Sequence, residues 1–142
     1  MPSRTLSDET YVIDLSDEVL GTVALRQHSF DFLRGDAGAG KQGKRLPVDA
    51  YYPELQLVVE YCERQHTEAI SIMDRRMTVS GVDRGKQRAI YDQRRRDILP
   101  QHGIELVELS FADFAHDKKK HLCRRRPEDL AVIRQALARW TG

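Results

Sequence analysis

The run Leu55-Gln56-Leu57-Val58-Val59 leads straight into Glu60. A nearly continuous apolar stretch of this kind predicts a strand buried on both faces, hence central in its sheet. An ionised group in such a strand is costly unless it is paired or holds a metal. A second run, Leu46–Tyr52, precedes it and carries Asp49. Both runs are rich in β-branched, aromatic or leucine residues, and Pro53-Glu54 between them suits a turn.

If Tyr52 and Leu55 flank a tight two-residue turn, Asp49 opposes Val58 and Glu60 lies diagonally from Asp49 on the same face. Such neighbours have Cβ atoms ~7 Å apart. Two carboxylates at that separation can converge on one hard divalent cation, Mg2+ or Mn2+. A one-residue slip would send them to opposite faces. The plain alternative is an ion pair between Glu60 and a nearby arginine, with Asp49 capping a turn.

Around this pair the pattern predicts helices. Ser16-Asp17-Glu18 reads as an N-cap with acids in the first turn, opening a helix to about Gln27, with residues 1–10 loosely ordered. Gly21 weakens that helix. Phe30–Leu33 reads as a short strand or packed turn. Four glycines between Gly35 and Gly43 predict a loop. Gly35 and Gly40-Lys41 have the spacing of a phosphate loop, but Gln42 replaces the hydroxyl, which argues against a nucleotide site. Lys86–Leu99 predicts a basic helix stopped by Pro100, and Ile104–Leu109 a third strand. Pro127-Glu128-Asp129 opens a last helix, with Leu130, Ile133, Leu137 and Trp140 on its buried face. The sum is a mixed sheet flanked by helices.

The 142 residues suit one domain spanning 1–142. No apolar run approaches the ~20 residues of a membrane span, and no secretion signal opens the chain. Cys62 and Cys123 suggest no disulfide framework, so a cytoplasmic location is expected. Net charge is +1, yet acids crowd residues 1–20 and bases crowd 84–96 and 118–126. That asymmetry fits either a polyanion-binding face or solvated basic segments. Arg88 and Arg95, with Arg84, share a helix face at steps of four and seven and form a candidate phosphate-contacting stripe.

The run Pro47-Val48-Asp49-Ala50-Tyr51-Tyr52-Pro53-Glu54-Leu55-Gln56-Leu57-Val58-Val59-Glu60, followed by His66, resembles the PD-(D/E)xK nucleases. The branch it is most similar to comprises the very short patch repair endonucleases and related bacterial domains. The Arg-Arg-Arg-Asp segment before Leu99, Gly103-Ile104 and Pro127-Glu128-Asp129-Leu130 extend the likeness over about residues 45 to 138.

The resemblance implies a restriction-endonuclease-like α/β fold and a metal-dependent endonuclease acting on DNA, in repair or defence. Asp49 and Glu60 would hold Mg2+ or Mn2+, and His66 would lie near the scissile phosphate or activate water, with Glu63 and Gln65 beside it. An acid on the first helix would complete the site, for which Glu18 is the candidate. Lys44, Arg45, Arg64, Arg88 and Arg95 are the candidate nucleic-acid contacts. The chain departs from the pattern at Cys62, where a lysine is usual. Lys44, Arg64 or an arginine of the basic helix could replace that lysine. A catalytically inactive nucleic-acid-binding module and a structural or interaction protein are the rival readings. A homodimer or a protein partner could supply specificity.

Overall fold

The computed structural model describes residues 7–35, 43–63 and 84–141. The first described element is helix α1, Asp8–Leu20, which starts much earlier than Ser16. Ser7 is its N-cap, with the side-chain oxygen accepting from the Thr10 amide, and Asp8 and Glu9 fill the first turn. Ser16 is buried in mid-helix, where its hydroxyl donates to the Val12 carbonyl. Gly21 ends the helix in the left-handed conformation, φ 73°, which glycine adopts at no steric cost.

The segment expected to continue that helix instead forms β1, Leu25–His28. Phe30–Leu33 is a turn, closed by the Leu33 amide donating to the Phe30 carbonyl. Two strands follow, β2 (Val48–Tyr52) and β3 (Leu57–Cys62). Helix α2, Arg84–Gln101, carries Pro100 within its last turn. Gly103, at φ 75°, turns the chain into β4, Glu105–Ser110. Helices α3 (Arg126–Ala136) and α4 (Ala138–Thr141) close the order.

The sheet runs β1-β2-β3-β4, antiparallel across the first three strands and parallel between β3 and β4. A parallel neighbour needs a crossover, and α2 lies in that connection. The architecture is therefore mixed α/β. No helix among the described residues is long and apolar enough to cross a membrane.

β3 is central, and its alternation serves two cores. Leu57, Val59 and Tyr61 join Val12, Ile13 and Leu15 of α1 and Leu130, Ile133 and Leu137 of the C-terminal region. Val58 joins Leu33, Leu46, Val48, Leu99 and Ile104. A strand covered on both faces has no polar side, which is why the run reads as continuous apolar sequence. Asp17 ties the layers together by accepting from the Tyr52 hydroxyl at 2.7 Å and the Ala24 amide at 3.1 Å.

Candidate functional site

The β2–β3 connection differs from the expected tight turn. Pro53–Leu55 make one 3-10 turn, and Gln56 reverses the chain in the left-handed region at φ 51°. Tyr52 therefore pairs with Leu57, Tyr51 with Val58 and Ala50 with Val59. The register moves by two positions, so facing is preserved. Carried one position beyond the last paired residues, that register sets Asp49 against Glu60, and hydrogen bonds from backbone to carboxylate link the two positions.

At this position side chains take over from the backbone ladder. The Asp49 amide donates to Glu60 Oε2 at 2.7 Å. The Tyr61 amide donates to Asp49 Oδ2 at 2.8 Å. Each carboxylate is pinned through one oxygen by the opposite strand. The second oxygens have looser neighbours: Gln27 Nε2 lies 3.5 Å from Asp49 Oδ1, and Arg95 Nε lies 3.9 Å from Glu60 Oε1.

The row extends across the sheet. Gln27 sits between the paired positions Arg26–Ala50 and His28–Val48, with its backbone at φ 50°. Its amide donates to Glu9 Oε2 at 2.8 Å as well as reaching Asp49. On the other side Glu108 pairs in register with Glu60 and takes both Arg96 Nε and Nη2, at 2.7 and 3.0 Å.

Burial sets the electrostatics. Desolvation, then the nearby charge of Asp49, pushes Glu60 up to about 8. Asp49 is likewise raised, first by desolvation, against the Tyr61 amide, which favours its ionised form. Glu9 is raised by burial and by Asp49. Asp92 of α2 adds further negative potential at both Asp49 and Glu60. Two facing carboxylates that leave water share protons or take a cation.

Arg95 is the nearest cation, and its position corrects the sequence expectation. It does not present a solvated stripe. Its side chain is 16% exposed and turned to the sheet, with Nη1 3.1 Å from Asp92 and Nη2 donating to the Pro47 carbonyl. Its buried Nε makes no hydrogen bond. Arg88 is half-buried on the same helix. Lys44 is exposed, and Arg45 pairs with Asp31 at 3.0 Å. Cys62 follows Glu60 by two residues on the same face and is a half-buried free thiol.

Glu18 is not part of this cluster. It pairs with Arg126 at the far end of α1. The first-helix acid that reaches Asp49 is Glu9, nine residues earlier and roughly 13 Å away along the axis. Its signal was present in the sequence, since Ser7-Asp8-Glu9 repeats the capping pattern of Ser16-Asp17-Glu18. Gln27, by contrast, had no signal beyond its place before His28. His66, Arg64 and Gln65 lie outside the described residues, as does most of the glycine-rich segment.

The donor chemistry fits a hard divalent cation: two carboxylates face each other in a desolvated setting, and Mg2+ commonly uses only one or two protein carboxylates. Asp49 and Glu60 would be the ligands, with Glu9 beside them. Among the described residues no group of three His, Cys, Asp or Glu side chains is close enough to form a complete protein cage. No protein-family model matches the chain, and no curated protein or solved structure is significantly similar to it.

Proposed function

We propose that this protein is a metal-dependent endonuclease of the PD-(D/E)xK type, hydrolysing phosphodiester bonds in DNA. The observation that carries the reading is the Asp49–Glu60 pair: opposed, desolvated, and each fixed through one oxygen by the other's strand. A purely structural pair would gain from a short salt bridge, yet the nearest guanidinium nitrogen stands 3.9 Å from Glu60. A mixed sheet with helices on both faces agrees with the restriction-endonuclease-like fold that the resemblance implies.

A divalent ion bound here would neutralise a phosphate and lower the pKa of a water. The chain's own residues prepare that chemistry. Asp49 and Glu60 present one oxygen each while the backbone holds the other. Glu9 orients the Gln27 amide, which steadies Asp49. Arg95, a permanent cation, offsets charge beside Glu60 and takes the part of the lysine that Cys62 replaces.

Cys62 also favours a second reading, in which the same fold binds nucleic acid without cutting it. Incubation with plasmid, single-stranded DNA and RNA in Mg2+ or Mn2+ separates the two. The expected outcome is metal-dependent cutting of DNA. Asp49→Ala should slow it by at least about 100-fold, since even outer-shell partners of a metal site are worth 10–100-fold. Cutting that proceeds unchanged in that variant removes the assignment. Binding without turnover selects the second reading.

A further inference from the structure

We propose that residues 116–125 form a preorganised clamp for the phosphate backbone of duplex DNA, with Lys118, Lys119 and Arg125 as its contacts. The clamp rests on the reading of nucleic acid as the substrate and adds the surface that holds it. The loop is tightly built. Asp117 Oδ1 accepts from the Lys119 amide at 2.8 Å and the His121 amide at 2.9 Å. The Asp117 amide donates to the His121 carbonyl, and the Cys123 amide to Ala115. His116 and Leu122 form an antiparallel bridge. Lys120 and Arg124 are held at φ 69° and 59°, conformations that cost a non-glycine residue on the order of 1 kcal/mol and persist only where the surroundings impose them.

Asp8 anchors this loop to the first turn of α1. Its Oδ2 accepts from the Leu122 amide at 2.9 Å, and its Oδ1 accepts from Arg124 Nε and Nη2 at 3.1 and 3.0 Å. The next residue is Glu9, which shares Gln27 with Asp49. The loop also follows β4, whose Ser110 pairs with Cys62 at the Glu60 end of β3. It therefore lies at the same end of the sheet as the carboxylates.

The loop gathers exposed cations outside any ion pair in one short segment, whereas Lys44 and Arg134 are such cations singly elsewhere among the described residues. Arg26, Arg34, Arg45, Arg95, Arg96, Arg124, Arg126 and Arg139 all belong to ion pairs. Lys118, Lys119 and Arg125 are exposed, and among the described residues they belong to none. A site lined by acids repels a polyanion, so cations at its rim must supply the attraction. Lysines on a fixed loop do so with little ordering of the backbone.

The test uses the full chain and a fluorescein-labelled 20-base-pair DNA duplex, read by anisotropy in chelator between 50 and 200 mM salt. Each phosphate contact contributes about 0.9 to the slope of log affinity against log salt. The triple variant Lys118→Gln, Lys119→Gln, Arg125→Gln should bind more weakly and lose roughly 2 to 3 of that slope. Arg139→Gln, elsewhere on the surface, should leave it unchanged. Thermal midpoints equal to wild type confirm that the loop variants fold. Wild-type affinity and slope in the triple variant overturn the clamp. So does a wild-type protein that binds no duplex, or one that binds only anionic vesicles. Loss of binding in the variant, in a protein that never cuts DNA, keeps the clamp and removes the nuclease reading.

Discussion

The two ends of the β2–β3 ladder are built on opposite principles. At the turn end, Tyr52–Leu57 and Tyr51–Val58 are held by ordinary backbone pairing, and Tyr52 and Leu57 are fully buried in the core. Three positions away, Asp49 and Glu60 replace the backbone partners with their own carboxylate oxygens. The first end stabilises the fold through apolar burial and complete hydrogen bonding. The second places facing acids out of water, where the charged forms are disfavoured. A ladder could have continued through that position with apolar residues. Its replacement by two desolvated carboxylates is costly, and the proposed site would give that cost a use.

The largest expected effect tests that contrast directly. Leu57→Ala should cost about 2–5 kcal/mol by lost burial and a residual cavity. Asp49→Asn keeps an oxygen for the Tyr61 amide and removes the charge facing Glu60. Its stability at pH 7 should lie within about 1 kcal/mol of wild type. Urea unfolding of both variants gives the comparison. If Asp49→Asn is as damaging as Leu57→Ala, the two ends are equally structural and the contrast collapses.

How much of this was legible in the sequence follows from the same physics. The buried central strand was, because a strand covered on both faces must be apolar throughout. The convergence of Asp49 with Glu60 was also legible, though the turn was longer than expected. The error in register was even, and parity, which alone decides facing, survived it. The start of α1 was misplaced because the triplet Ser-Asp-Glu occurs twice. Local capping rules cannot choose between the copies. The choice is made by Val12, Ile13 and Leu15 packing on the sheet and by Gly21 stopping the helix. That one misplacement also hid β1 and led to Glu18 as the first-helix acid, whereas the one linked to Asp49 through Gln27 is Glu9. Arg95 was recognisable as a cation, but its inward rotation depends on how α2 lies on the sheet.

A second, smaller effect sharpens the contrast through pH. Glu60 is held at about 8 in the folded chain, above the 4.5 ordinary for glutamate. The folded state therefore binds more protons than the unfolded state between those values. The contribution of Glu60 is fully present below pH 4.5 and is lost as pH rises towards 8. Glu60→Gln stays neutral and escapes the loss. Its advantage over wild type should be near zero at pH 4.5 and grow to on the order of 2 kcal/mol at pH 8. Thermal melts of both proteins across that range measure it. A difference that is flat with pH, or that favours wild type at pH 8, would show Glu60 to be a stabilising ion-pair partner of Arg95.

The smallest effect distinguishes the two ends of α1 as the first two distinguish the ends of the ladder. Glu9 shares Gln27 with Asp49, whereas Glu18 is engaged by Arg126 on an exposed surface. A divalent ion bound at Asp49 and Glu60 requires both carboxylates deprotonated, and negative charge at Glu9 favours it. Mn2+ at about ten times its dissociation constant should raise wild-type stability by about 1.4 kcal/mol at pH 8 and much less at pH 5. Glu9→Gln should weaken Mn2+ several-fold at pH 8, a loss below about 1 kcal/mol. Glu18→Gln removes only an exposed pair, worth a few tenths of a kcal/mol at most, and should leave the Mn2+ affinity as it was. Calorimetric titration of the two variants decides between them. Equal affinities for both would mean that the first turn of α1 lies beside the carboxylates without acting on what they bind.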